Sequence, residues 1–116
     1  MRVFFMKVAT LRTSREFSAA FKAGRGAGCA LFSVRAYALE GCPSKIGIMV
    51  SRKIGKAVVR NKVRRRIKEI WRELLPDFGS SSRFGVVIIA KPPIAAATFA
   101  DIRREMVAAL KRLRVL

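Results

Sequence analysis

Between residues 52 and 72 the chain reads RKIGKAVVRNKVRRRIKEIWR, with ten lysines or arginines in twenty-one positions and Glu69 as the only acid. Val59, Val63, Ile67, Ile70 and Leu74 recur there at intervals of three and four residues. At about 100° per residue they fall on one stripe of an α-helix, with Trp71 at its margin. Asn61, Lys62, Arg64, Arg65, Lys68 and Arg72 collect on the opposite face. The spacing predicts a helix over residues 56–75, preceded by Gly55 and stopped by Pro76. Its apolar stripe requires a core to rest on. Its other face carries one sign of charge and calls for a polyanion, of which nucleic acid is the commonest. A charge run is ordinarily a solvated face, but like charges this dense, with scarcely a counter-charge, repel one another until a partner neutralises them.

The flanking sequence supplies the core. Thr13 and Glu16 form a T-x-x-E capping box, so a short helix is expected from Ser14 to about Ala23. Gly24 suits its left-handed C-terminal turn, and Phe17 and Phe21 share one stripe of it. Residues 29–39 alternate like a strand, with Ala30, Phe32, Val34, Ala36 and Ala38 on one side and Ser33, Arg35 and Tyr37 on the other. Gly41, Cys42, Pro43 and Ser44 signal a turn. A second strand follows over residues 45–51, with Ile46, Ile48 and Val50 inward and Gly47, Met49 and Ser51 outward. Across so short a turn, direct pairing of the two strands is the simplest expectation. Gly79 to Ser82 read as a loop. Residues 84–91 are apolar almost without interruption, which predicts a strand in the interior of a sheet, ended by Pro92 and Pro93. A last helix is expected near Thr98, with Phe99, Ile102, Met106, Leu110 and Leu113 along one stripe. Arg103, Arg104, Lys111, Arg112 and Arg114 carry the basic theme onward. The order helix, strand, strand, helix, strand, helix predicts an α+β protein. It would be a small two-layer α/β sandwich, a mostly antiparallel central sheet with helices packed on one side.

A length of 116 residues and a hydrophobic share of 52% favour one domain over residues 1–116 with a core of its own, not a disordered basic tail. The balance of 25 basic against 7 acidic residues gives a net charge of +18, a field that speeds encounter with nucleic acid or an anionic membrane. A membrane span is not expected, since the longest apolar stretches, residues 46–50 and 85–90, fall far short of about 20 residues. The N-terminal MRVFFMKVATL has a faint signal-peptide character, but Lys7 interrupts it and no small-residue cleavage site precedes Arg12 and Arg15. It reads as part of the mature chain. Cys29 and Cys42 could form one disulfide or remain buried thiols, and the thiol reading is preferred. The expected compartment is the cytoplasm.

The absence of histidine removes His-based triads and His metal ligands, and two distant cysteines cannot build a tetrahedral zinc site. Glu69 and Glu73 lie four apart and could in principle hold a metal, but most of the seven acids sit at helix starts or at helical spacing from an arginine. Gly55-Lys56 is reminiscent of a phosphate-binding loop, yet Val50 and Ala57 break that motif at both ends. The polypeptide alone is therefore not expected to be an enzyme. Three surfaces are candidates for binding. The first is the cationic helix. The second is the Phe17 and Phe21 stripe, which serves either as core or as a base-stacking platform. The third is the outward strand face with Arg35, Tyr37, Met49 and Ser51, where an arginine beside an aromatic suits single-stranded nucleic acid.

The run VSRKIGKAVVRNKVRRRIKE over residues 50–69 closely resembles the signature of the protein subunit of bacterial ribonuclease P, above all in Lys53-Ile54-Gly55-Lys56-Ala57-Val58-Val59-Arg60-Asn61-Lys62. REFSAAFKAGR over residues 15–25 is similar to that family's first helix, and VVIIAKPP over residues 86–93 to its late strand. The resemblance implies an α/β sandwich with a left-handed βαβ crossover through the basic helix, against the usual right-handed rule. It implies a role beside a catalytic RNA that removes the 5′ leader from precursor tRNA with bound Mg2+, the protein itself holding no cofactor. Arg60, Asn61, Lys62, Arg64, Arg65 and Arg66 would contact the catalytic RNA, with Lys56 and Lys68 extending that surface. The single-stranded leader would lie in a cleft between the first helix and the open sheet face, among Phe17, Phe21, Arg35 and Tyr37, with Ser51, Arg52 and Lys53 at its edge. The family often carries an aromatic where Arg35 stands here, and Tyr37 points the same way. A ribosomal-type or chaperone RNA-binding protein without a catalytic RNA partner is the alternative. A DNA-binding regulator would predict a dimer, for which no apolar seam is left over.

Overall fold

The computed structural model describes residues 14–23, 25–39, 44–77 and 84–115. The Thr13/Glu16 capping box, the Gly24 turn, the turn through Gly41, Cys42 and Pro43, and the loop over residues 79–82 lie outside the described residues. The elements in chain order are α1 (Ser14–Ala23), β1 (Arg25–Gly28), β2 (Phe32–Ala38), β3 (Lys45–Met49), α2 (Ala57–Leu74), β4 (Phe84–Ala90) and α3 (Phe99–Arg112). Single 3-10 turns occupy Arg52–Ile54, Leu75–Asp77 and Pro92–Ala96. Among the described residues, no helix is long and apolar enough to cross a membrane.

The strands form one four-stranded sheet in the order β1-β2-β4-β3. β2 runs antiparallel to both β1 and β4, whereas β3 runs parallel to β4, so the sheet is mixed and mostly antiparallel. This corrects the expected hairpin between β2 and β3: β4 lies between them. Val86, Val87 and Ile88 are fully buried. A strand apolar on both faces belongs in the sheet interior, and that preference outweighs the shorter loop. The six residues from 39 to 44 can reach up to about 20 Å, ample to step over one intervening strand at about 10 Å. The parallel β3–β4 pair is joined through α2, as a parallel connection requires.

Alternation sorts the two faces. Phe32, Val34, Ala36, Ile46, Val86 and Ile88 turn to one side and form the main core with Val63, Ile67, Ile70, Trp71 and Leu74 of α2 and Ile102, Met106 and Leu110 of α3. Trp71, placed by sequence at the margin of its stripe, is fully buried. On the other face Val87 is covered by Phe17 of α1, with Tyr37 and Ile89 beside it. Helices therefore pack on both faces, not one. A short seventh element, β1, was not foreseen, because its sequence RGAG carries no strand pattern. The strand expected from residue 29 begins at Phe32, and Cys29 lies in the turn, where its N–H donates 2.9 Å to the Phe32 carbonyl. Ala30 and Ala38, expected inward, are exposed.

Side chains close the helix ends. Thr98 caps α3 by accepting from the Asp101 N–H at 3.1 Å, while the Asp101 carboxylate accepts from the Thr98 backbone N–H, a reciprocal capping box. At the other end Val115 N–H donates 2.9 Å to Leu110 and Arg114 N–H donates 3.0 Å to Lys111, the paired bonds of a Schellman ending. Arg25 reaches across from β1 and donates 2.7 Å to the Leu113 carbonyl. Gly55 holds φ 152°, a conformation that only glycine enters readily, and turns the chain from the 3-10 turn into α2.

Candidate nucleic-acid interface

The core side of α2 fixes which of its residues face out. Lys56, Asn61, Lys62, Arg64, Arg65 and Lys68 are exposed, and Arg60 is half-buried. Lys56 is the N-cap, no side chain caps the helix and no acid lies in its first turn. The positive end of the helix dipole thus adds to the cationic side chains. Val58, 80% exposed, stands among them, an apolar contact point that the charge pattern gave no reason to single out. Two cations of α2 bond to other groups of the protein. Arg72 pairs with Glu69 at 2.8 Å, and Arg66 donates from Nη1 to the Ala97 carbonyl at 3.0 Å.

The second surface is the sheet face beneath α1. Cross-strand partners share a face, so the antiparallel pairs Arg35–Val87, Ser33–Ile89 and Gly26–Arg35 and the parallel pair Met49–Ile89 define its rows. Phe17 packs onto Val87 and is part of this small core. Phe21, one turn on, is 43% exposed, and Met49 at the far side of the sheet is 42% exposed. The two phenylalanines therefore divide the roles that sequence left open: one seals α1 to the sheet and the other presents a ring to solvent. Arg35 lies across Gly26 and donates 2.9 Å to the Phe21 carbonyl, where the negative end of the α1 dipole favours it. Tyr37 lies on the same face. Ser51, Arg52 and Lys53 are exposed on the turn between β3 and α2, so one short segment links the sheet face to the cationic helix.

Among the described residues, no group of three or more His, Cys, Asp or Glu side chains comes together. Glu69 and Glu73, considered as a metal pair, are each engaged with an arginine: Arg72 at 2.8 Å and Arg103 at 3.1 Å.

A basic α+β sandwich with an uncovered cationic helix on one layer and an aromatic-edged sheet face on the other defines a protein built to hold a polyanion. Comparison with known proteins narrows the class. The family model described as Ribonuclease P matches residues 5–114. The ribonuclease P protein component of Bacillus cereus is 33% identical over 113 residues, covering 97% of this chain and 93% of that protein. The ribonuclease P protein component of Thermus thermophilus is 38% identical over 110 residues, covering 91% of this chain and 60% of that protein. Among solved structures, the RNase P protein of Staphylococcus aureus superposes with a TM-score of 0.83 at 25% identity, over 94% of this chain and 98% of that one. The RNase P protein of Thermotoga maritima gives 0.78 at 31% identity, over 89% and 96%. The chain belongs to the ribonuclease P protein family.

Proposed function

We propose that this chain is the protein subunit of ribonuclease P, assisting a catalytic RNA in removing the 5′ leader from precursor tRNA in the cytoplasm. The observation that carries the reading is the outer face of α2, where Lys56, Lys62, Arg64, Arg65 and Lys68 stand exposed with Asn61 among them. Such a face neutralises RNA phosphates and releases counter-ions, an attraction strongest at low salt. The leader is assigned to the sheet face, where Phe21 offers a ring, Arg35 and Tyr37 line the floor, and Ser51, Arg52 and Lys53 form the rim. A leader held there adds contacts that mature tRNA lacks, so substrate is favoured over product. Strand cleavage belongs to the RNA and its Mg2+. The protein's cations lower the repulsion between phosphates and with it the Mg2+ that the RNA needs.

The test is reconstitution with a bacterial ribonuclease P RNA and 5′-labelled precursor tRNA at limiting Mg2+. Stimulated cleavage that falls sharply in the Arg64→Ala, Arg65→Ala double variant supports the proposal. RNA binding without stimulation, equal for precursor and mature tRNA, would point instead to a general RNA-binding protein.

A further inference from the structure

We infer that Arg66 is a positioning residue of the α2–α3 seam and carries no RNA phosphate, an inference that rests on the RNA-binding reading of α2. Successive residues of an α-helix are about 100° apart, so three consecutive arginines cannot share one face. Arg64 and Arg65 are exposed, whereas Arg66 turns onto the flank of α2 and is half-buried. Its Nη1 donates 3.0 Å to the carbonyl of Ala97. Ala97 is extended, at φ −77° and ψ 148°, and sits between the Pro92–Ala96 turn and Thr98, the N-cap of α3. The α3 ladder opens with Ile102 N–H donating to the Thr98 carbonyl at 3.1 Å, one residue later. The Ala97 carbonyl is thus outside the ladder, and the guanidinium gives it a charge-assisted donor. Two turns along the same flank, Glu73 accepts from Arg103 Nε at 3.1 Å.

These two bonds fasten one flank of α2 to the entry and the first turns of α3. They complement the buried stripe in setting the rotation of α2 about its own axis. That rotation decides where Lys62, Arg64, Arg65 and Lys68 point. For Arg66 to reach a phosphate it would have to release Ala97 and leave a half-buried carbonyl unpaired, a loss that makes the exposed neighbours the better ligands.

The experiment measures affinity for a ribonuclease P catalytic RNA across a monovalent-salt series, together with precursor-tRNA cleavage at saturating protein. Arg64→Ala and Arg65→Ala are each expected to flatten the slope of log affinity against log salt by about 0.7–0.9, the worth of one phosphate contact. Arg66→Ala is expected to leave the slope unchanged while weakening binding about three- to tenfold at every salt concentration. It should also slow cleavage at saturating protein, at a temperature where the variant is fully folded, which a role in stability alone would not do. Arginine-specific modification of the wild-type chain with phenylglyoxal provides a readout that needs no variant. Arg66 should react slowly with and without RNA, and Arg64 and Arg65 should become protected only when RNA is added. An Arg66→Ala slope as flat as that of Arg64→Ala, unchanged binding and cleavage in Arg66→Ala, or protection of Arg66 that appears only with RNA would each overturn the inference. A wild-type affinity with no salt slope would overturn the RNA reading itself, and the reactivity of Arg66 in the free protein would then decide the seam alone.

Discussion

Tyr37 and Gly85 face each other across the β2–β4 ladder, and the phenol ring lies where a side chain at 85 would be. A Cβ at Gly85 would collide with ring atoms Cε1 and Cζ and stand 2.8 Å from Oη. The glycine thus lets the ring lie flat over the central strand, beside the Phe17–Val87 contact. Gly85→Ala is expected to destabilise the fold by about 1–3 kcal/mol, the usual cost of overpacking, and to swing Tyr37 off the floor of the sheet face. Chemical denaturation of the variant checks the first part. A Tyr37→Ala, Gly85→Ala double variant that recovers part of the loss checks the cause.

Gly55 offers a second backbone test. With φ at 152°, an added Cβ would also lie 3.2 Å from Cβ of Val59. Gly55→Ala should cost about 1–3 kcal/mol through backbone strain. Trp71, the single tryptophan and fully buried on α2, reports it through fluorescence during denaturant unfolding.

Arg114 predicts a gain. It occupies the left-handed position of the α3 ending at φ 59°, a place that glycine normally fills. Arg114→Gly relieves that conformation, offset in part by the greater freedom of glycine in the unfolded chain, and should stabilise by about 0.5–1 kcal/mol. An unchanged or lower denaturation midpoint would contradict this account.

The start of α3 should be sensitive to acid. The Thr98 hydroxyl and backbone N–H, followed by Arg104 at 3.0 Å, hold the Asp101 carboxyl below its ordinary value near 3.8. A group whose folded value is depressed stabilises fully above its unfolded value and loses that contribution as pH falls through the folded one. The amides of the first turn of α3 should therefore lose protection below about pH 4, measured as exchange relative to the intrinsic rate at the same pH. In Asp101→Asn this acid-dependent component should disappear. Thr98→Ala should cost about 0.5–2 kcal/mol at neutral pH.

Phe21 tests the proposed leader site. Its exposed ring supports little of the core, so Phe21→Ala should leave the denaturation midpoint nearly unchanged. Loss of one base-stacking contact, worth about 1–3 kcal/mol, should weaken binding of precursor tRNA roughly 5- to 150-fold while mature tRNA is affected little. Equal weakening for both tRNAs would remove Phe21 from the leader site.

Much of this was legible because it rests on local periodicity. The apolar repeat from Val59 to Leu74 placed α2 between Lys56 and Leu75, and the structure has it at Ala57–Leu74. Alternation from Phe32 to Ala38 sorted Val34 inward and Arg35 toward the sheet face. Pro76, Pro92 and Pro93 each follow the end of a regular element, because none of them can donate a backbone hydrogen bond. The dense cations between residues 52 and 72 and the run resembling the ribonuclease P family needed no coordinates at all.

What local pattern could not supply was the choice among distant partners. β3 follows β2 in sequence yet pairs with β4, because placing the strand that is apolar on both sides in the middle buries Val86, Val87 and Ile88 together. β1 exists because Arg25 to Gly28 found the free edge of β2, a partner that RGAG does not announce. The same limit holds for the site. Helical spacing already sets Arg66 apart from the outer face that holds Arg64 and Arg65, but only the packing of α2 against α3 gives its guanidinium a partner in the Ala97 carbonyl. Sequence by itself determined the three helices, the strands β2, β3 and β4 and the stops that follow them, because those depend on neighbours a few residues away. Tertiary structure decided the strand order, the two-sided packing of the sheet and which arginines remain outside, because each depends on surfaces brought together from across the chain.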